Sequence, residues 1–443
     1  MKTARYLLVL AALAAGCAGG PVDGQSWPDA APDADARAEV PTPDGLPETA
    51  DSVVPVYDFA APDALPEAPE PPALLTALDG TAITTAAQWT EKRQPEIEAL
   101  LNHYVYGSAP APRAVTVGAV ASTTVLGGSV VLDQLTVTLD GAAEHPMHLA
   151  IFRPPGDGPF PVWIAPNACG NQAILDDPAI RATTAWRASF CEGATVEESR
   201  GSRASRFPVA QIVEAGWALA AVHESDIAPD DAAADRVGFR AAIRAADGAE
   251  ASWGVLQAWA YGVAHIARAV PQISGLDGAR IAVIGHSRRG KAALLAGAME
   301  PRIALVVSHQ SGTAGGRMSR SPVGESVQAI TLIFPHWFGP RFAEFATRES
   351  YLPLDQHFLL ARIAPRPLLL TNGAEDLWAG PEGTRWAAEL ASPAWQLLGA
   401  PALGEDGDLT RPLAYHVRAG GHSLSSEDWT VFLEFAQAQI AAP

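Results

Sequence analysis

One serine in this sequence stands where a nucleophile would. Residues 281–298 run from an apolar stretch ending at Gly285 through His286, Ser287, Arg288, Arg289, Gly290 and Lys291 into an alanine- and leucine-rich stretch. Apolar residues that stop at a glycine and resume as helix formers predict a strand, a tight turn and a helix, with Ser287 at the apex. Such a turn lifts the serine above the helix N-terminus. There, backbone N–H groups and the positive end of the helix dipole would meet a developing oxyanion. The usual G-x-S-x-G spacing is one residue longer here, because the second glycine is Gly290.

A serine hydroxyl needs a base to take its proton, and the base needs a carboxylate to hold its tautomer. Downstream, the apolar run Leu368–Thr371 leads to the neighbours Glu375 and Asp376, and a second run, Ala414–Arg418, leads past Gly420 and Gly421 to His422. Each run reads as a strand with a candidate group just past its carboxyl end, where open α/β sheets gather their sites. Either acid could instead cap a turn. His286, His309, His336, His357 and His416 compete with His422, and each could be an ordinary packed histidine.

The elements that must position these groups follow from periodicity. A helical pattern runs from Thr84 to Gly107, followed by strand-like runs at Val130–Leu139, Met147–Phe152 and Pro161–Ala165. An irregular segment to about Arg206 follows, long enough to serve a site. Thereafter a helix (Val209–Glu214), a strand (Trp217–Val222), a loop with Glu224, Asp226 and Asp230, and a helix (Trp253–Arg268) precede the serine turn. A strand (Ile303–Ser308), an insertion to about Glu349, a strand (Pro367–Thr371), a helix (Thr384–Leu390), the Ala414–Arg418 strand and a closing helix complete the chain. Alternating strands and helices predict a mostly parallel sheet covered on both faces. With a serine elbow on its middle strand and the order Ser, acid, His, the expected fold class is the α/β-hydrolase fold.

The 443 residues are 48% hydrophobic and 18% charged, with a net charge of −19. Residues 1–16 carry Lys2 and Arg5 and then an apolar run, which reads as an export signal too short to span a bilayer. Its end, Leu13 to Cys17, resembles a bacterial lipobox; that resemblance implies a lipidated Cys17 and a membrane anchor, with Ala18 leaning towards the outer membrane. Residues 17–73 are rich in Pro, Ala, Asp and Glu without periodicity and read as a disordered tether. From Asp23 to Glu70 it holds twelve acids against Arg37, so it carries about eleven of the nineteen net negative charges. The domain expected over 74–443 is thus only mildly acidic. No basic patch with interleaved aromatics appears, so nucleic acid is not an expected partner; a monomer is expected, with no metal or cofactor. Cys169 and Cys191 read as a disulfide in an exported chain, the alternative being two buried thiols.

The stretch Gly285–Lys291 resembles the G-[CH]-S-R-x-G-K signature of glucuronoyl esterases, carbohydrate esterase family 15. The resemblance extends through Lys92–Ile97, Tyr104–Gly107, Asp226–Asp230, Trp253–Gly254, Gly324–Val327, Phe334–Phe338, Glu375–Trp378 and Asp428–Trp429. It covers the chain from about Leu74 onwards and is similar to the bacterial branch. Fungal members carry their acid as a Glu shortly after the nucleophile helix, where this chain has neutral Gln310, so the resemblance implies Asp376 as the acid. It further implies that Arg288 serves the oxyanion, and that Lys291, Glu325 and Trp378 bind a glucuronate ring. The expected substrate is the ester between (4-O-methyl-)glucuronate on xylan and a lignin alcohol. A xylan deacetylase on the same fold, and a surface glycan-binding lipoprotein with a lapsed site, are the alternatives.

Overall fold

The computed structural model describes residues 57–185, 187–232, 238–247 and 253–440. The expected signal, Cys17 and most of the expected tether lie outside the described residues. Among the described residues ten strands form one sheet: β1 (Val115–Val117), β2 (Ala121–Val125), β3 (Val130–Leu139), β4 (Met147–Arg153), β5 (Phe160–Asn167), β6 (Ala218–His223), β7 (Leu276–His286), β8 (Ile303–His309), β9 (Leu368–Gly373) and β10 (Leu413–Arg418). Their order is β1-β3-β4-β6-β5-β7-β8-β9-β10, with β2 also paired to β3. The six strands β6, β5, β7, β8, β9 and β10 pair in parallel, and β1 to β4 form the antiparallel flank.

The parallel strands are apolar on both faces, as strands covered twice must be. Along β5, Val162 and Ile164 enter one core while Trp163 and Ala165 enter the other; along β7, Ile281 and Val283 alternate in the same way with Ala282 and Ile284. Helices cover each face. The first core takes α1 (Gln94–Leu101), the second takes α2 (Val209–Glu214), and two short helices, α3 (Glu224–Ile227) and α4 (Gly238–Asp247), follow β6. The first core also takes α5 (Val255–Ala269), α6 (Arg288–Met299), α7 (Val327–Ile333), α8 (Gln356–Ala361) and α9 (Pro381–Leu397), and the second takes α10 (Ser426–Gln439). This is the α/β-hydrolase arrangement. Among the described residues no helix is long and apolar enough to cross a membrane.

Several elements differ from the sequence reading. Strands β1 and β2 escape it because β2 is almost wholly exposed and carries no apolar alternation. The loop expected around Glu224 opens with the single turn α3, and the insertion before Glu349 is followed by α8, short helices that show no full amphipathic period. Cys169 and Cys191 are joined by a disulfide.

The boundary expected at residue 73 lies too far along the chain. From Tyr57 the end of the supposed tether packs on the domain: Phe59 sits 5.7 Å from the Tyr104 ring, and the Tyr104 hydroxyl donates to Ala60 O at 2.7 Å. Ala68 N–H donates to Ser350 O, and His357 Nε2 donates to Pro72 O. Proline-rich composition hides this docking, because scattered Phe59 and Leu65 make no period. A chain that starts at Leu74 should therefore melt about 3 °C or more below one that starts at Tyr57. Equal melting temperatures in calorimetry would show that the docked segment adds nothing.

Candidate active site

Strand β7 reaches Ser287 and turns directly into α6. Ser287 has φ 60° and ψ −127°, a positive-φ conformation that a side chain adopts only where its surroundings force it. The two glycines make the turn possible. A Cβ on Gly285 would lie 2.0 Å from Arg289 O, and one on Gly290 would lie 2.9 Å from Gly285 O. The spacing lengthened by one residue thus still lets strand and helix touch, with Gly290 inside the first helical turn. Ser287 N–H is spent on His309 O at 2.8 Å, while the Arg288 N–H opens the helix as one of its unpaired donors.

The structure brings Asp376 and His422 together. Asp376 follows β9, is 5% exposed, and its Oδ2 lies 2.6 Å from His422 Nδ1; its Oδ1 accepts from Ala379 N–H at 3.1 Å. An ionised carboxylate only accepts, so Nδ1 carries the ring proton and Nε2 is the nitrogen left to take one. Glu375 is exposed and makes no such contact.

Four of the five competing histidines are engaged elsewhere, and the fifth, His416, lies within β10. Burial pushes His309 down to about 4, so it is neutral; its Nε2 donates to Ser423 O at 2.7 Å and its Nδ1 accepts from the Thr371 hydroxyl. Burial also holds His286 well below the usual range. His286 Nε2 donates to Gln310 Oε1 at 3.1 Å, and its ring lies 4.6 Å from that of His422. His336 faces Asp230, and His357 is turned to Pro72.

Gln310, where the resemblance would place a fungal acid, clasps the histidine loop from both sides. Its Nε2 donates to Gly421 O at 2.9 Å, and its Oε1 accepts from Ser423 N–H at 3.0 Å. It is 1% exposed and itself has φ 52°. Arg418 closes the same loop through Ser423 and is braced by Asp428 at 2.6 Å.

Arg288 points its guanidinium to Asp230, which also accepts from His336 Nε2 at 3.0 Å and Trp337 Nε1 at 2.6 Å. Burial would raise the Asp230 carboxyl, but the His336 hydrogen bond and the Arg288 charge outweigh it and hold it well below the usual range. The guanidinium lies 4.7 Å from the centres of both the Phe334 and Trp337 rings. Next in sequence, Arg289 grips fully buried Glu224, Nη2 to Oε1 at 2.8 Å and Nε to Oε2 at 2.5 Å.

Lys291, Glu325 and Trp378 form one connected cluster. Lys291 Nζ donates to Glu325 Oε2 at 2.9 Å and to Thr313 O, and Trp378 Nε1 donates to Glu325 Oε1 at 3.1 Å. Lys291 is 3% exposed, and burial lowers its pKa against the pull of Glu325. Trp378 is two residues from Asp376, and Lys291 is one helical turn from Ser287, so the cluster adjoins both. Sequence reasoning gave Asp230 and Glu224 no role in the site and read Gln310 only as a missing acid. Their contacts are all long-range, and no spacing signal announces them.

A family model described as "Glucuronyl esterase, fungi" matches residues 209–399. The chain is 34% identical over 380 residues to a carbohydrate esterase from an unknown prokaryotic organism, covering 82% of this chain and 88% of that one. It is 30% identical over 335 residues to 4-O-methyl-glucuronoyl methylesterase 1 of Wolfiporia cocos, covering 73% of this chain and 71% of that one. Among solved structures it is similar to the glucuronoyl esterase from Solibacter usitatus, with a TM-score of 0.76 and 33% identity, covering 85% of this chain and 100% of that one.

Removing the clasp should misplace the histidine. Gln310→Ala is expected to lower kcat by about 10²-fold on a small ester with little change in KM. Gln310→Glu, which keeps the acceptor for Ser423, should recover part of that loss; unchanged kcat in the alanine variant would refute the positioning role.

Proposed function

This chain belongs to the glucuronoyl esterase family and is a carboxylic ester hydrolase, and on that premise we propose how its own residues carry the reaction. Ser287 Oγ attacks the C6 carbonyl of a (4-O-methyl-)glucuronate ester while His422 Nε2 takes its proton. The tetrahedral oxyanion is met by the Arg288 N–H at the head of α6 and by the Arg288 guanidinium, which Asp230 and the aromatic rings hold in place. His422 then gives its proton to the departing alcohol, leaving an acyl-enzyme on Ser287. Water, deprotonated by His422, attacks that ester and releases glucuronate, and the proton returns to Ser287. Asp376 holds the imidazole in the required tautomer and stabilises it when charged.

The observation that carries the substrate class is the buried Lys291–Glu325 pair, with half-buried Trp378 bonded to it, beside the elbow. A charged lysine and carboxylate kept dry next to a nucleophile suit a ring bearing several hydroxyls on the acyl side of the ester. A deacetylase, whose acyl group is a bare acetyl, would have no use for them there. The polymeric substrate is glucuronoxylan esterified to lignin alcohols. Outside the described residues, Cys17 is the lipidation site that would tether a monomeric domain to a bacterial membrane, the outer one by its Ala18 neighbour.

Hydrolysis of benzyl glucuronate beside an acetylated aryl ester tests this reading. Benzyl glucuronate is expected to be preferred, Ser287→Ala to abolish turnover, and Asp376→Asn to lower kcat by roughly 10⁴-fold. Preference for the acetyl ester would overturn the substrate, and a near-normal Asp376→Asn enzyme would overturn the acid. Arg288→Ala should cost about 10²–10³-fold in kcat; a change confined to KM would make it a binding residue only.

A further inference from the structure

A cavity of about 190 Å³ opens at the carboxyl edge of the sheet on the far side of β6 from the elbow. Its lining includes Thr136, His148, Arg181, Thr183, His223 and Asp226, and neither Ser287 nor His422. Strand order sets its distance: from β7 the sheet passes β5 and β6 to reach β4, where His148 sits, so three strand spacings, about 14 Å, separate it from Ser287. The short helix α3 divides the two regions. Glu224 at its start turns to Arg289 beside the elbow, and Asp226, two residues on, turns to His148 in the cavity.

The lining is organised. Asp226 Oδ2 accepts from both His148 N–H at 2.9 Å and His148 Nδ1 at 3.1 Å, which fixes the carboxylate and the ring together. His223, kept neutral by burial that pushes it down to about 4, donates from Nε2 to Ala168 O and accepts at Nδ1 from the Thr183 hydroxyl. Burial also pushes the Asp226 carboxyl up to about 6, against the pull of the Arg181 guanidinium. Among the described residues, Asp226 Oδ1, His148 Nε2 and the exposed Arg181 guanidinium have no hydrogen-bond partner in the protein. Convergent polar groups and a perturbed carboxyl in a formed cavity are the physical marks of a ligand site.

We propose that this cavity is a second binding site, separate from the catalytic one, that takes a single neutral sugar unit through its hydroxyls. The chemistry selects that class. A carboxylate in the lining disfavours an anion, the guanidinium disfavours a cation, and the lining holds no aromatic platform for an aryl group. A hydroxyl both donates and accepts, so one can meet Asp226 Oδ1 while its neighbour meets Arg181. The volume is below that of a drug-sized site, which suits one ring. The proposal rests on the esterase reading only in that a polysaccharide carrying the ester would present such units to both sites at once.

Calorimetric titration of the full chain with xylotriose, which has neither uronate nor ester, tests it. Saturable binding is expected, weakened about tenfold or more in Arg181→Ala and in Asp226→Asn, each of which removes a charged partner of a hydroxyl. Arg181 is exposed, so its variant should fold even if the Asp226 variant does not. No binding by the unmodified chain, or equal binding by Arg181→Ala, would overturn the site, as would binding of only acidic oligosaccharides. Benzyl glucuronate hydrolysis by the unmodified chain is scored separately: binding without hydrolysis would sink the esterase reading and leave the site, and hydrolysis without binding would do the reverse.

Discussion

Ser287 can hold a positive φ only because β7 and α6 meet with no side chain between them. The carbonyl of Arg289 fills the place a Cβ would take at residue 285, and Gly290 rests on the Gly285 carbonyl and against Ser308. Any larger residue at either glycine would push helix from strand and relax the turn. The strain is maintained by the sheet, because β7 lies between β5 and β8 and is buried on both faces. The central position of the strand is thus what lets one unfavourable residue conformation persist.

Rotation of α6 is fixed by charge as well as packing. Arg288, Arg289 and Lys291 leave the helix in different directions, successive residues turning by about 100°, and reach Asp230 and Glu224 on the stretch after β6 and Glu325 just before α7. Each pair is largely desolvated, which makes none of them a strong source of net stability but makes loss of one partner costly. A turn of the helix would break all three at once. The arrangement therefore specifies one orientation of the first helical turn, where the oxyanion would form.

The proposed acid, Asp376, and the proposed base, His422, reach each other from neighbouring parallel strands, β9 and β10. Asp376 lies past β9, and Gln310 past β8 stands where the resemblance puts a carboxylate in fungal members. Gln310 is suited to its own task because an amide both donates and accepts, so it can hold the Gly421 carbonyl and the Ser423 N–H together. A carboxylate there could not donate to Gly421. Neutral His286 and His309, pressed between this loop and the sheet, complete its support without adding charge beside His422.

Much of this was legible in the chain. Unbroken apolar runs gave the parallel strands, because strands buried on both faces need no alternation, and the glycine pair with the chain order of Ser287, Asp376 and His422 gave the elbow and its candidate partners. Short or exposed elements were not legible: β2 has no apolar face, α3 is a single turn, and the segment from Tyr57 to Pro72 looked like tether because Phe59 and Leu65 follow no period. The contact of Asp376 rather than Glu375 with His422, the pairing of Asp230 with Arg288, and the seat of Gln310 on both sides of the histidine all required the folded chain. Local sequence fixes which way a residue tends to fold and which chemistry it can offer. Contacts between residues tens to hundreds of positions apart depend on strand order and register, and only tertiary packing sets those.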